Sequence, residues 1–189
     1  MSRQASEGLH RPPRDHRIIA TTARLTLRWL QTGDAEFILE LLNEPGFLEF
    51  IGDKGVRTLD DANRYLLAGP IASYHENGHG LYAVELGDGT PVGICGLVKR
   101  QGLDHPDVGF AVLARHAGMG YATESAAAVL EHARRALELE RVVAITDPAN
   151  SRSMAVLEKI GLELVGRVRL DSKDEELNLF ALDLRGGRR

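Results

Sequence analysis

The front half of the chain carries apolar residues at two different spacings, which predict strands and helices. An apolar stretch that starts at Arg24, RLTLRWL, predicts a strand. Apolar residues at helical spacing then predict one helix ending at Pro45-Gly46 and a second running from Thr58 to Asn77-Gly78. Three further apolar stretches predict an antiparallel meander: LYAVEL, PVGICGLVKR after the turn Gly87-Asp88-Gly89, and VGFAVL.

The back half changes to helix, strand, helix and two strands. The stretch SAAAVLEHARRAL repeats apolar residues on one helical face and pairs Glu131 with Arg135 on the other. The run VVAIT is typical of a strand covered on both faces, which implies a parallel crossover. Asn150 suits the N-cap of a short helix, and Gly161 suits the left-handed residue at its end. The pattern predicts two last strands, near Leu162 to Leu170 and Glu176 to Leu184, in an α/β sheet with one parallel crossover at its centre.

Composition and charge exclude several classes of protein. With 189 residues, 43% of them hydrophobic, the chain is long enough for one domain with a single core. A net charge of −4 argues against nucleic acid or a membrane as partner, and one cysteine argues against a disulfide framework. No apolar run reaches the ~18–20 residues of a membrane span. We therefore expect a cytoplasmic protein with a disordered tail over residues 1–17, one domain over 18–185 and a flexible end over 186–189.

Three other motifs have ordinary explanations. The string His75-Glu76-Asn77-Gly78-His79 matches a zinc-protease motif, but Asn77-Gly78 ends the helix that this chemistry requires. Cys95 lies in an apolar strand and is interpreted as a small buried hydrophobe. The arginines of residues 184–189 are interpreted as a solvated charge run.

The segment VGFAVLARHAGMGYATES carries the strongest chemical signal. Gly118 and Gly120 stand directly before a helix, where bare backbone N–H groups and the helix dipole favour a diphosphate. Simple turn chemistry explains about half of such glycine pairs, so both interpretations stay open. A Rossmann motif is disfavoured because Thr123 stands where its third glycine is needed.

These residues resemble the GNAT superfamily of acyl-CoA-dependent N-acyltransferases, in particular its RimJ/RimL-like branch. AGMGYATES looks like the coenzyme A loop (Gln/Arg, x, x, Gly, x, Gly/Ala), with Gly120 and Ala122 on its last two named positions. Ala117 departs from the long polar residue of its first position, and Arg115 fits that position only in a shifted register. NEPGFLEFIGDKGVRTLDDANRYL and NSRSMAVLEKIGLELVGRVRL also look like this branch.

The resemblance implies a fold and a cosubstrate. The fold is a mixed, mostly antiparallel central sheet flanked by helices, in which one parallel pair of strands splays apart. The cosubstrate is acetyl-CoA and no metal is expected. The coenzyme-binding residues that it implies are Val112, Leu113, Gly118, Met119, Gly120, Tyr121, Ala122 and Asn150.

The implied reaction is direct attack of a primary amine on the thioester. A lysine-like amine is mostly protonated at neutral pH, so the site needs a proton acceptor. Asp107 is our candidate, with Asp104 and Glu85 as rivals, although a strand-end carboxylate is often only a solvated surface group. Backbone N–H groups at Val112 or Leu113 are expected to stabilise the oxyanion, and Ser153 to steady the leaving sulfur.

We expect the acceptor to be bound by residues of the first half of the chain, because the coenzyme is bound by residues of the second half. Phe47, Phe50, Arg57 and Tyr82 are the candidates, and Arg57 serves equally well as a surface ion-pair partner. We expect the acceptor to be a small-molecule amine or a protein N-terminus, and the protein to be a monomer or homodimer. Two alternatives remain open: a catalytically silent acyl-CoA-binding module, and a structural homologue that binds no coenzyme.

Overall fold

One eight-stranded sheet organises the part of the chain that the computed structural model describes, residues 17–170 and 176–185. Its spatial order is the first five strands in sequence, then the sixth, the eighth and the seventh. The strands are β1 (Ile18–Thr21), β2 (Leu25–Trp29), β3 (Leu81–Leu86), β4 (Pro91–Val98), β5 (Asp107–Val112), β6 (Arg141–Thr146), β7 (Glu163–Val168) and β8 (Leu177–Asp183).

Helices cover the two faces of this sheet. They are α1 (Ala35–Leu42), α2 (Pro45–Phe50), α3 (Leu59–Leu66), α4 (Ala72–Asn77), α5 (Tyr121–Arg135) and α6 (Ser151–Lys159). Successive side chains of β3 enter different cores: Tyr82 joins the cluster with α5 and α6, whereas Ala83 joins the cluster with α1 and α3. Because side chains alternate along a strand, the two helix groups lie on opposite faces.

The predicted mixed α/β sheet is confirmed. Only β5 and β6 pair in parallel among the described strands, and every other described pairing is antiparallel. Asn150 caps α6 through its side chain, Gly161 has a φ of +93°, and Glu131 pairs with Arg135 on α5.

Three element predictions were incomplete. β1 was missed because it is a four-residue edge strand with little buried surface. α2 was missed because Pro45 was interpreted only as the end of α1, although proline also suits the first position of a helix. The predicted helix from Thr58 to Asn77 is α3 and α4 joined by a π-helical turn at Leu67–Ile71, which contains Pro70.

A buried ion cluster interrupts the alternation of buried and less buried side chains along β2. Arg28, only 2% exposed, donates from Nη1 and Nη2 to the Asp34 carboxylate at 2.8 and 2.7 Å, and from Nη2 to Glu85 Oε1 at 2.5 Å. Burial acts to lower the pKa of Arg28, but the two carboxylates raise it overall. Glu85, a rival candidate for the proton acceptor, is therefore occupied in a structural cluster.

The ends of the chain were predicted to be loose. That prediction falls on residues 1–16 and 186–189, outside the described ranges, apart from Arg17, whose carbonyl accepts the Trp29 N–H at 3.0 Å. None of the described helices combines the length and the apolar character needed to span a membrane.

Candidate functional site

The pairing of β5 with β6 ends almost where it begins. Asp107 and Val143 form the one parallel residue pair between these two described strands, with the Val143 N–H bonded to the Pro106 carbonyl at 3.0 Å. The next N–H of β6 that points towards β5 is that of Ile145, and it is bonded instead to Asp107 Oδ1 at 3.1 Å. Beyond this point the two strands share no backbone pair, and we call the space between them the β5–β6 gap.

Asp107 lies at the closed end of this gap. It is 1% exposed, and its second oxygen accepts from Arg100 Nε at 2.5 Å. Burial raises the pKa of the Asp107 carboxyl, while the Arg100 charge and the Ile145 N–H act in the opposite direction. The carboxylate is therefore a buried and fully bonded group, not a solvated strand end.

Backbone donors of β5 face the gap. The Leu113 N–H is bonded to the Val92 carbonyl of β4 at 2.9 Å, so it does not serve an oxyanion, and its side chain is fully buried. In an antiparallel ladder the N–H groups alternate between the two sides of a strand. Those of Phe110 and Val112 therefore point away from β4 and towards β6. Phe110 is not among the coenzyme-binding residues predicted from the sequence, because the direction of its N–H follows only from the register with β4.

The glycine loop follows β5 and leads into α5. Gly118 and Gly120 have φ values of +77° and +81°, a region that glycine adopts without strain. A Cβ on Gly118 would meet no protein atom within 4 Å, so there is room above that backbone for a ligand. The side chain of Met119 between the two glycines is 49% exposed.

The neighbouring arginine belongs to another part of the surface. Arg115 pairs with Glu40 of α1, and Glu44 accepts the Ala114 N–H at 3.2 Å. This arrangement holds Arg115 against α1 and leaves Ala117 at the start of the glycine loop, which favours the register with Ala117 on the first position of the motif.

The start of α6 borders the other side of the gap. Asn150 Oδ1 accepts the Ser153 N–H at 3.0 Å, and both residues are half-buried. β5 and β6 are parallel, so their carboxyl ends reach the same edge of the sheet. The glycine loop and the α6 cap, which follow these ends, therefore lie at the edge where the gap opens.

Tyr82 lies apart from the other three acceptor candidates, in the core on the opposite face of the sheet from Phe47. Tyr82 is 1% exposed in the core under α5, where burial raises its pKa to about 12, and Phe47 is buried in the opposite core. Arg57 forms an exposed ion pair with Asp53 at 2.5 Å, as its alternative interpretation expected, while Phe50 is half-buried. A shared acceptor site for all four residues is therefore disfavoured by the position of Tyr82, and the roles of Phe47, Phe50 and Arg57 stay predictions. Asp104, the other rival carboxylate, is exposed ahead of β5.

The histidines of the zinc-like string are placed on different elements. His75 lies in α4, which ends at the left-handed Gly78, and the buried His79 contacts the Leu97 carbonyl through Nδ1 at 3.2 Å. Within residues 17–170 and 176–185, no group of three or more His, Cys, Asp or Glu side chains is arranged to hold a metal. Burial raises the pKa of the Cys95 thiol to about 12, so it is protonated at neutral pH.

The chain is similar in sequence and in structure to known acetyltransferases. Residues 24–163 match the family model described as an acetyltransferase (GNAT) domain. The uncharacterized N-acetyltransferase YnaD of Bacillus subtilis (strain 168) is 25% identical over 146 residues, which cover 77% of this chain and 83% of YnaD. An acetyltransferase from Agrobacterium tumefaciens str. C58 is 29% identical with a TM-score of 0.73, covering 86% of this chain and 92% of its own. RimL, a ribosomal L7/L12 alpha-N-protein acetyltransferase solved with coenzyme A, is 17% identical with a TM-score of 0.76, covering 88% and 97% of the two chains.

Proposed function

The chain belongs to the GNAT family of acetyltransferases, and from that premise we propose that it moves the acetyl group of acetyl-CoA to a primary amine by direct attack on the thioester. One observation carries the proposal. The β5–β6 gap opens at the sheet edge where the glycine loop and the α6 cap lie, which supports placing an acyl arm there beside a phosphate.

The glycine loop is the proposed site of the diphosphate. Backbone N–H groups from Gly118 to Ala122 and the positive end of the 15-residue helix α5 favour an anion there. The open space above Gly118 fits this role, because no side chain has to move to admit a phosphate. Met119 and Tyr121 flank the bare backbone of the loop.

The pantetheine arm is proposed to lie in the β5–β6 gap. An amide-containing arm needs hydrogen-bond partners, and the β5 backbone beside the gap has groups that no longer pair with β6. The NH2 group of the Asn150 side chain is a donor on the other side, since its oxygen already caps α6.

The N–H groups of Phe110 and Val112 are the proposed oxyanion donors. Attack of an amine on the thioester carbonyl puts negative charge on its oxygen, and fixed backbone dipoles stabilise such charge without reorganisation. The coenzyme then leaves as a thiolate. Ser153, in the first turn of α6, is proposed to steady the departing sulfur.

Asp107 is the proposed proton acceptor. A base that works near neutral pH needs a raised carboxyl pKa, which is the direction that burial gives Asp107. Both of its oxygens are already bonded, to Arg100 and to the Ile145 N–H. Each oxygen keeps a second lone-pair site, which is where a proton would be accepted.

The acceptor is proposed to be a small-molecule amine or a protein N-terminus. RimL, which shares the fold, is named for an α-amino acceptor on a protein. The test is calorimetry with acetyl-CoA, followed by a thiol-release assay with a panel of amino acids, polyamines and peptides of varied first residue. Binding with turnover of at least one amine supports the proposal. Binding without turnover on any of them indicates an acyl-CoA-binding module, and absence of binding overturns the proposal.

A further inference from the structure

The first turn of α5 is bonded to the β1–β2 connection through Glu124. Its Oε1 accepts from the Thr22 hydroxyl at 2.6 Å and from the Arg24 backbone N–H at 3.1 Å. Its Oε2 accepts from Arg24 Nε at 2.7 Å and lies 2.6 Å from Arg24 Nη2. Although burial acts to raise the pKa of Glu124, these hydrogen bonds hold it below its usual value, so the side chain is a carboxylate at neutral pH.

The same Arg24 guanidinium reaches into the glycine loop. Its Nη1 donates to the Met119 carbonyl at 2.9 Å, and its Cζ lies 4.9 Å from the centre of the Tyr121 ring. A Cβ on Gly120 would lie 3.3 Å from Arg24 Nη2, so the guanidinium rests directly against that glycine. Arg24 thus bonds both the loop and the helix that follows it.

These contacts fix the direction of one peptide group. In a trans peptide the C=O and the following N–H point in opposite directions. Because the Met119 carbonyl is bonded to Arg24, the Gly120 N–H is directed to the opposite side of the loop. A rotation of this peptide would instead turn a carbonyl oxygen towards that side, where it would repel a diphosphate.

We propose that Arg24, held by Glu124, is a positioning residue that orients the glycine loop for the diphosphate of the coenzyme. This inference rests on the proposed function. It adds to that function a residue from the β1–β2 connection that orients the coenzyme-binding loop. It also explains how the loop is held in a chain that has Ala117 on the first position of its motif. The constraint comes from the β1–β2 connection and α5, and not from a long side chain within the loop.

The test compares acetyl-CoA with S-acetylpantetheine, which lacks the diphosphate. Arg24→Ala should raise the Kd for acetyl-CoA about tenfold, since a charge-assisted fork is lost. It should lower kcat/KM for acetyl-CoA with kcat nearly unchanged, and leave kcat/KM for S-acetylpantetheine within about twofold. Arg24→Lys keeps the charge but lacks the planar fork that bonds Glu124 through two nitrogens while a third bonds Met119, so it should restore little of the affinity.

Arg134→Ala is the matched control, because Arg134 pairs with Glu131 on the same helix, away from the loop. This substitution should leave kcat/KM unchanged for both acetyl-CoA and S-acetylpantetheine. Two results would overturn the inference and leave the proposed function intact. One is an equal loss of kcat/KM with both substrates in Arg24→Ala. The other is unchanged affinity for acetyl-CoA in both Arg24→Lys and Arg24→Ala. If Arg24→Ala does not fold, the Arg24→Lys measurements decide alone. Failure of the unsubstituted protein to bind acetyl-CoA would overturn both proposals.

Discussion

Asp107 Oδ1 accepts the Ile145 N–H at 3.1 Å and so takes the place of a backbone carbonyl at the point where β5 and β6 cease to pair. The carboxylate therefore closes the narrow end of the gap in which we place the thioester. The same group is our proposed proton acceptor, and these two roles give different pH profiles.

Asp107→Asn should reduce turnover more at pH 7 than at pH 10. At neutral pH an amine with a pKa near ~10.4 needs its proton removed, whereas at high pH free amine is abundant. The measurement is kcat/KM against pH for the variant and for the unsubstituted protein, with the Kd for acetyl-CoA as control. If kcat/KM fell by the same factor at every pH, Asp107 would have only a structural role at the β5–β6 pair and would not be the proton acceptor.

Arg28→Met should lower the free energy of unfolding by about 3–5 kcal/mol, because it removes the only ion-pair partner that the described residues provide for the buried Glu85 and the half-buried Asp34 carboxylates. Urea unfolding at pH 7 measures the change. Arg141→Met is the control: Arg141 pairs with the exposed Asp183 at 2.6 Å, and its loss should cost less than about 1 kcal/mol. Similar effects of the two substitutions would contradict the importance of the buried cluster.

Acid should weaken the fold through His79 and His132. Burial lowers the pKa of both imidazoles, so below pH ~6.5 the unfolded chain binds more protons than the folded one. Their contribution is therefore lost as pH falls through this range, and the free energy of unfolding should be lower at pH 5.5 than at pH 7.5. His79→Gln, which removes one titrating group, should show a smaller decrease between these pH values in urea unfolding. An unchanged pH dependence would show that His79 does not contribute.

Ala117→Arg should tighten acetyl-CoA binding by roughly tenfold, and less at high salt, because it adds a charge-assisted contact in an exposed loop. Arg115→Ala should change the Kd by less than about twofold, since Arg115 is engaged with Glu40. Calorimetry at two salt concentrations tests both. A strong loss from Arg115→Ala would mean that the motif is aligned in the shifted register.

Periodicity was sufficient for the elements that are bounded by local signals. The apolar run of β6, the cap at Asn150 and the left-handed Gly161 all depend on neighbouring residues, and each was predicted from the sequence. β1 was missed because its few residues bury little surface and carry no pattern.

Contacts that hold the glycine loop and the core join residues far apart in the chain. Arg24 and Glu124 are 100 positions apart, and Arg28 and Glu85 are 57 apart. A charged residue in a strand is usually exposed, so no local pattern shows that Arg28 is buried. The inward direction of the Phe110 N–H likewise depends on the register with β4, which a single sequence does not reveal.

We propose that acetyl-CoA lies on the bare backbone of the glycine loop, and the Kd of Gly118→Ala measures whether it does. Gly118 is preferred to Gly120, because its Cβ would meet no protein atom within 4 Å, whereas that of Gly120 would meet Arg24. The control is Gly78→Ala, at a glycine with a φ of +73° and equally open space at the end of α4, which carries the same backbone strain. We predict by calorimetry that Gly118→Ala weakens acetyl-CoA binding by about tenfold or more, roughly 1.4 kcal/mol, while Gly78→Ala leaves it unchanged. Equal affinities in two folded variants would contradict the placement of the coenzyme on this loop.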